Sequence, residues 1–162
     1  MSGKPEAMVP SALLNVPVFA LGRLGRLVHS VVDAAFAEAD IAALTSRTYF
    51  VLHCLNEDGR ISQRELADRV SMDRSDLVKL LDQLEHSGHL RRNRDPNDRR
   101  RHLLSITPLG VNVVEQGQRL LGTANESIFA GLNSDEQDAL HRLVRKALIA
   151  MPAGTDASRG RV

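Results

Sequence analysis

Residues Leu90 to Gly110, LRRNRDPNDRRRHLLSITPLG, decide how this chain is read. Asp95, Pro96, Asn97 and Asp98 are turn formers. Leu90 on one side and Leu103, Leu104 and Ile106 on the other supply the apolar positions of two short strand arms. The segment therefore folds back on itself as a hairpin. Its tip is a basic finger, because Arg91 to His102 hold six arginines against two aspartates. Such a charge density suits a protruding loop that meets phosphate or a nucleic-acid groove. The alternative is a solvated hairpin with no partner, since a charge run alone is weak testimony.

Upstream of the hairpin the pattern is helical. Tyr49, Phe50, Leu52 and Leu55 are the packing residues of a helix over about Ser46 to Asn56, which Gly59 stops. Ser62-Gln63-Arg64-Glu65 fits a capping box that opens a second helix through about Val70, and Ile61 just before it suits a short third strand. Asp73 caps another helix that runs to His86, with Gly88 ending it. Helix, short turn, helix and hairpin together make a winged helix-turn-helix. In the helix from Arg74 to His86, Leu77, Leu80, Leu81 and Leu84 point inward, leaving Arg74, Ser75, Val78, Lys79 and Asp82 toward solvent. Small residues at the N-terminal end and a few long donors are what a recognition helix needs in the major groove. Asp76 either reinforces the cap or accepts from a cytosine amino group.

The flanks exceed what a winged helix requires. From Val16 to about Glu38, Val18, Leu21, Gly25, Val28, Val32 and Ala35 form one stripe and Ala20, Leu24, Leu27, Val31 and Ala34 a second. Two apolar faces on one helix point to a partner chain. Thr107-Pro108 starts a further helix with Val114, Leu121, Ala124 and Ile128 as its stripe. Ser134-Asp135-Glu136-Gln137 reads as a capping box for a last helix lined by Leu140, Leu143, Val144, Ala147 and Met151. The expected organisation is a mostly α chain: a winged helix-turn-helix over 41–106 with a small β hairpin wing, N- and C-terminal dimerisation helices over 11–40 and 107–151, a loose arm over 1–10 and a loose tail over 152–162.

Composition narrows the function. With 162 residues and 43% hydrophobic content, the chain can bury a core without staples. One cysteine, Cys54, excludes an intrachain disulfide framework and a cysteine-rich zinc module, and suits a reducing cytoplasm. The apolar run from Val9 to Leu21 is too short and too interrupted to span a bilayer. Net charge is +1, but Arg60 to His102 hold eleven basic and eight acidic side chains, so any affinity for nucleic acid rests on asymmetry. No Gly-rich phosphate loop, metal-ligand spacing or nucleophile–base motif marks an enzyme. His86 and His89 straddle a helix end without a carboxylate or cysteine, so neither a metal nor a cofactor is expected.

With these elements in place, residues 11 to 151 resemble the MarR family of dimeric bacterial transcription regulators. The most specific segment is DPNDRRRHLLSITPLG, Asp95 to Gly110, in which Asp98 and Arg100 occupy the Asp-x-Arg of that family's wing. Glu65-Leu66-Ala67, the run Leu77 to Glu85, Gly88 and the helix order support the likeness. The resemblance implies that a wing arginine enters the minor groove while the aspartate braces the wing. Arg74 stands where many members carry a proline or small residue. The candidate DNA contacts are Ser62, Arg74, Ser75, Asp76, Val78, Lys79, Asp98, Arg99, Arg100 and Arg101.

The expected function is a homodimeric, sequence-specific regulator that represses from a palindromic operator and is relieved by a small ligand. Family members commonly bind small aromatic or phenolic anions in a cleft, which here would be bordered by Leu24, Val28, Tyr49 and His53, with Arg23 or Arg26 neutralising the anion. Tyr49 and His53 read equally well as core or interface residues. Two alternatives remain: a thiol-based redox sensor through Cys54, and a winged helix that contacts protein. An apolar neighbourhood for Cys54 argues against the first, and the exposed Arg99, Arg100 and Arg101 against the second.

Overall fold

The computed structural model describes residues 11–39, 41, 44–70, 72–96, 98 and 102–151. Helix α1 (Ser11–Leu14) leads into the long α2 (Pro17–Glu38), followed by α3 (Ser46–Asp58), strand β1 (Arg60–Ser62), α4 (Gln63–Arg69) and α5 (Arg74–His86). Strands β2 (Leu90–Arg94) and β3 (His102–Ile106) form the hairpin, and α6 (Pro108–Ile128) and α7 (Ser134–Ala150) close the chain. The mostly α winged helix expected from the sequence is therefore present.

Local chemistry sets the boundaries. Pro17 at the first position of α2 holds Val16 in an extended conformation, which splits the short α1 from α2 at the start expected for the long helix. Thr45 and Thr48 close a capping box on α3, and Ser62 and Glu65 close the expected one on α4. Gly59 (φ 75°) and Gly88 (φ 78°) supply the left-handed turns after α3 and α5. At the end of α5 the amide of Gly88 donates to Glu85 O and that of His89 to Leu84 O, the paired bonds of a Schellman motif. One expectation is corrected. The last helix is capped by Asn133, not by Ser134, because the box pairs Asn133 with Glu136.

The sheet is antiparallel in the order β1-β3-β2, so Ile61 does add a third strand, pairing with Leu104. In the hairpin Leu90 faces Ile106 and Arg94 faces His102. The core joins Val51, Leu52 and Leu55 of α3, Leu66 of α4, Leu77, Leu81 and Leu84 of α5, Leu90 and Leu104 of the sheet, and Val113 and Val114 of α6. Helix α5 thus turns its leucine face into this core and packs on β2, while its other face stays outside.

The terminal helices are different. Phe36 is the buried residue of α2, and α7 buries none of its residues within the chain. Val18 is 70% exposed and Ile149 75%. Of the two stripes of α2 that the sequence marks as packing faces, Val18, Leu21, Gly25, Leu27, Val31 and Ala34 are exposed in one chain, and Ala20, Leu24, Val28, Val32 and Ala35 are half-buried.

Candidate nucleic-acid interface

The N-terminus of α5 is built by Asp73, whose carboxylate accepts from the amide of Ser75 at 2.8 Å and from its hydroxyl at 2.6 Å. That capping ties down the acid and points the first turn outward. Arg74, Ser75, Val78 and Lys79 are exposed on one face, and Asp76 is half-buried at the side of the helix. Among the described residues no ion pair holds Arg74 or Lys79. Donors with free reach beside a small side chain can approach base edges.

The first strand of the hairpin packs on α5. Along β2, Leu90 is buried, Arg91 and Arg94 are exposed, and Arg92 and Asn93 are half-buried. Asn93 Nδ2 donates to Ser105 Oγ at 2.8 Å, holding the two strands in register. Asp98 is exposed. Arg99, Arg100 and Arg101 lie outside the described residues.

Two sequence-derived positions change meaning. Ser62 is 6% exposed, and its hydroxyl accepts the amide of Glu65 as the cap of α4, so the structure does not bring it onto the outer face of α5. Asp82, read as a solvent-facing residue, is exposed but paired: Arg92 Nη2 donates to its Oδ1 at 2.6 Å. Arg92 also donates through Nη1 to Glu85, and Glu85 Oε1 accepts the backbone amide of Arg92 at 3.1 Å. Burial pulls the Arg92 pKa down, but the two carboxylates more than reverse this and leave it raised. Sequence reading counted Arg92 as part of the basic finger. The signal that separates it is the placement of Asp82 and Glu85 three apart on one helical face.

The five candidate ligand residues are not brought together. Leu24 and Val28 line a groove of about 470 Å³ with Leu21, Phe129, His141 and Val144, between α2, α6 and α7. Tyr49 and His53 instead stack on each other at 5.5 Å within α3, with Tyr49 also 5.7 Å from Phe36. They are absent from the groove lining, as is the half-buried Arg23. The Nδ1 of His53 is buried with no hydrogen-bond partner among the described residues. Burial, with Glu57 nearby, pushes the Tyr49 hydroxyl above its ordinary range.

Other chemistry finds little support. Burial first, then Asp58, raises the Cys54 thiol pKa, opposite to what an activated thiolate needs. Where α2 meets α3, Ser46 Oγ donates to Asp33 and His29 Nδ1 lies 2.9 Å from the other oxygen of that carboxylate. The aspartate stands between the other two, so no imidazole takes the serine proton and the trio is not a nucleophile–base pair. Among the described residues no group of three metal-ligating side chains gathers, and no helix is long and apolar enough to cross a membrane.

The pattern that defines the MarR family matches residues 44–102, spanning α3 through the start of β3. The PcaV transcriptional regulator from Streptomyces coelicolor is 30% identical, with a TM-score of 0.64 over 83% of this chain and 96% of that one. The chain belongs to the MarR family. A mutant MarR from E. coli, solved in complex with operator DNA, is 27% identical with a TM-score of 0.68, covering 84% of this chain and 98% of that chain. A putative transcriptional regulatory protein for the hcr operon of Thauera aromatica is 31% identical over 103 residues, 64% of this chain. The match spans 62% of that curated relative's length. MarR-family relatives of this kind are transcription regulators, not enzymes.

Proposed function

We propose that the protein is a cytoplasmic, homodimeric repressor that binds double-stranded DNA at an inverted-repeat operator. The observation that carries this reading is the outer face of α5, where Arg74, Ser75, Val78 and Lys79 are exposed beside the basic hairpin while the opposite face is locked into the core. Arg74, Ser75, Val78 and Lys79, with Asp76 at the edge, meet the major groove, and Asp98, Arg99, Arg100 and Arg101 carry the wing toward the minor groove. The exposed apolar faces of α2 and α7 support a second copy as the partner that covers them. A two-fold dimer then presents its recognition helices to half-sites about 34–36 Å apart.

The experiment is a selection of duplexes from a random library by wild-type protein, repeated with Arg100→Ala and with Lys79→Ala. Arg100→Ala should weaken binding by about 1–3 kcal/mol across most selected duplexes, whereas Lys79→Ala should change which bases are preferred. Unchanged affinity for Arg100→Ala would remove the wing from the mechanism.

A second reading concerns the release signal. Among the described residues the buried Nδ1 of His53, whose ring stacks on Tyr49, has no hydrogen-bond partner, and a small polar aromatic ligand that displaced the packing around it would complete its hydrogen bonding. Titration with a small aromatic acid such as salicylate should release DNA from wild type and not from His53→Ala. Equal release from both would exclude His53 from that role.

A further inference from the structure

We infer that Arg92 is a positioning residue that clamps the wing to the recognition helix through Asp82 and Glu85, an inference that rests on the DNA-binding reading above. Strand β2 lies at the edge of the sheet, since β3 separates it from β1. An edge strand carries outward amides that need a partner. At Arg92 that partner is Glu85 of α5, which takes the backbone amide with one oxygen and the guanidinium with the other. Asp82, one turn earlier, takes the second guanidinium nitrogen. A guanidinium is planar and offers donors in a fixed fork, so bonding to two carboxylates on one helix fixes both the separation and the twist of strand against helix.

The placement of Asp82 strengthens the case. It sits one turn after Val78, on the flank of the face proposed to approach phosphate, with its side chain 60% exposed. An acid there opposes DNA binding by simple charge, and Arg92, held by two acids, contributes no net positive charge to the hairpin. The cluster is costly for raw attraction and useful for geometry. Two grooves must be entered at once by elements that belong to different parts of the chain, and the clamp joins those elements directly.

This gives a test in which sign decides. Asp82→Asn and the Asp82→Asn/Glu85→Gln pair remove negative charge near DNA, so charge alone makes them bind the wild-type-selected duplex more tightly. The clamp requires the opposite: affinity about tenfold lower for the pair, a smaller loss for Arg92→Lys than for Arg92→Ala, and thermal midpoints close to wild type. In an Arg100→Ala background the loss from the pair should shrink, because the clamp acts through the wing. If the pair fails to fold, Asp82→Asn alone decides, its side chain being largely in solvent. Binding by Asp82→Asn as tight as wild type or tighter overturns the clamp. A wild type that binds no duplex overturns the DNA reading itself, which the same titration separates from failure of the clamp.

Discussion

At Gly110 a Cβ would stand 2.2 Å from the backbone oxygen of His89 and 2.7 Å from Ile106 Cγ1. Backbone cannot give way there, so the glycine lets α6 seat directly on the start of β2. At Gly122, in the same helix, a Cβ meets nothing within 4 Å. Gly110→Ala should destabilise the fold by about 1–3 kcal/mol, and Gly122→Ala should be neutral or stabilising by up to about 1 kcal/mol. Urea unfolding of both variants checks this; equal midpoints would deny the close approach. The stripe through Val114 and Leu121 places Gly110 on its line and Gly122 off it, but sequence alone does not show that the backbone of His89 is what Gly110 meets. The same limit hid Arg92. Composition registers a guanidinium as one more positive charge, whereas its role depends on which acids the fold places against it. Asp73 was legible because a cap acts on its own neighbours, and a local rule suffices.

Among the elements, the junction of α5, β2 and α6 is tied together by hydrogen bonds of Thr107. Thr107 caps α6 by accepting from the amide of Gly110, and its hydroxyl donates to Gly88 O at 2.7 Å. His89 is buried at this junction with Nδ1 2.7 Å from Ser87 Oγ, and burial lowers its pKa from the ordinary 6.5. The folded imidazole therefore resists the proton that the unfolded chain accepts. Its contribution to stability is complete above about pH 6.5 and is lost as pH falls through that value toward the lower folded pKa. Urea midpoints measured from about pH 7.5 to 5.5 should fall more steeply for wild type than for His89→Gln. Parallel curves would contradict a neutral buried His89. Helices, hairpin and third strand were legible because period, capping boxes and glycine stops are local signals. The cap of the last helix falls at Asn133 and not Ser134 because neighbouring polar residues offer competing starts one residue apart, and the four-residue α1 is too short to leave a periodic signal.

For the whole molecule, the contrast between a sealed winged helix and open terminal helices organises the function. Leu77, Leu81 and Leu84 are buried, while Leu143, Leu148 and Ile149 of α7 stand in solvent. The double stripe of α2 told from sequence that this helix has more apolar surface than one chain covers, but not how a partner would seat on it. The central claim is that α5 and the hairpin together grip duplex DNA through phosphates. The measurement that tests it most directly is affinity for a selected two-half-site duplex as a function of salt. Log affinity should fall linearly with log salt with a slope of magnitude about 4 or more, roughly a hundredfold or greater loss over a fourfold rise in salt. Affinity that is absent at low salt, or that does not change with salt, would contradict it.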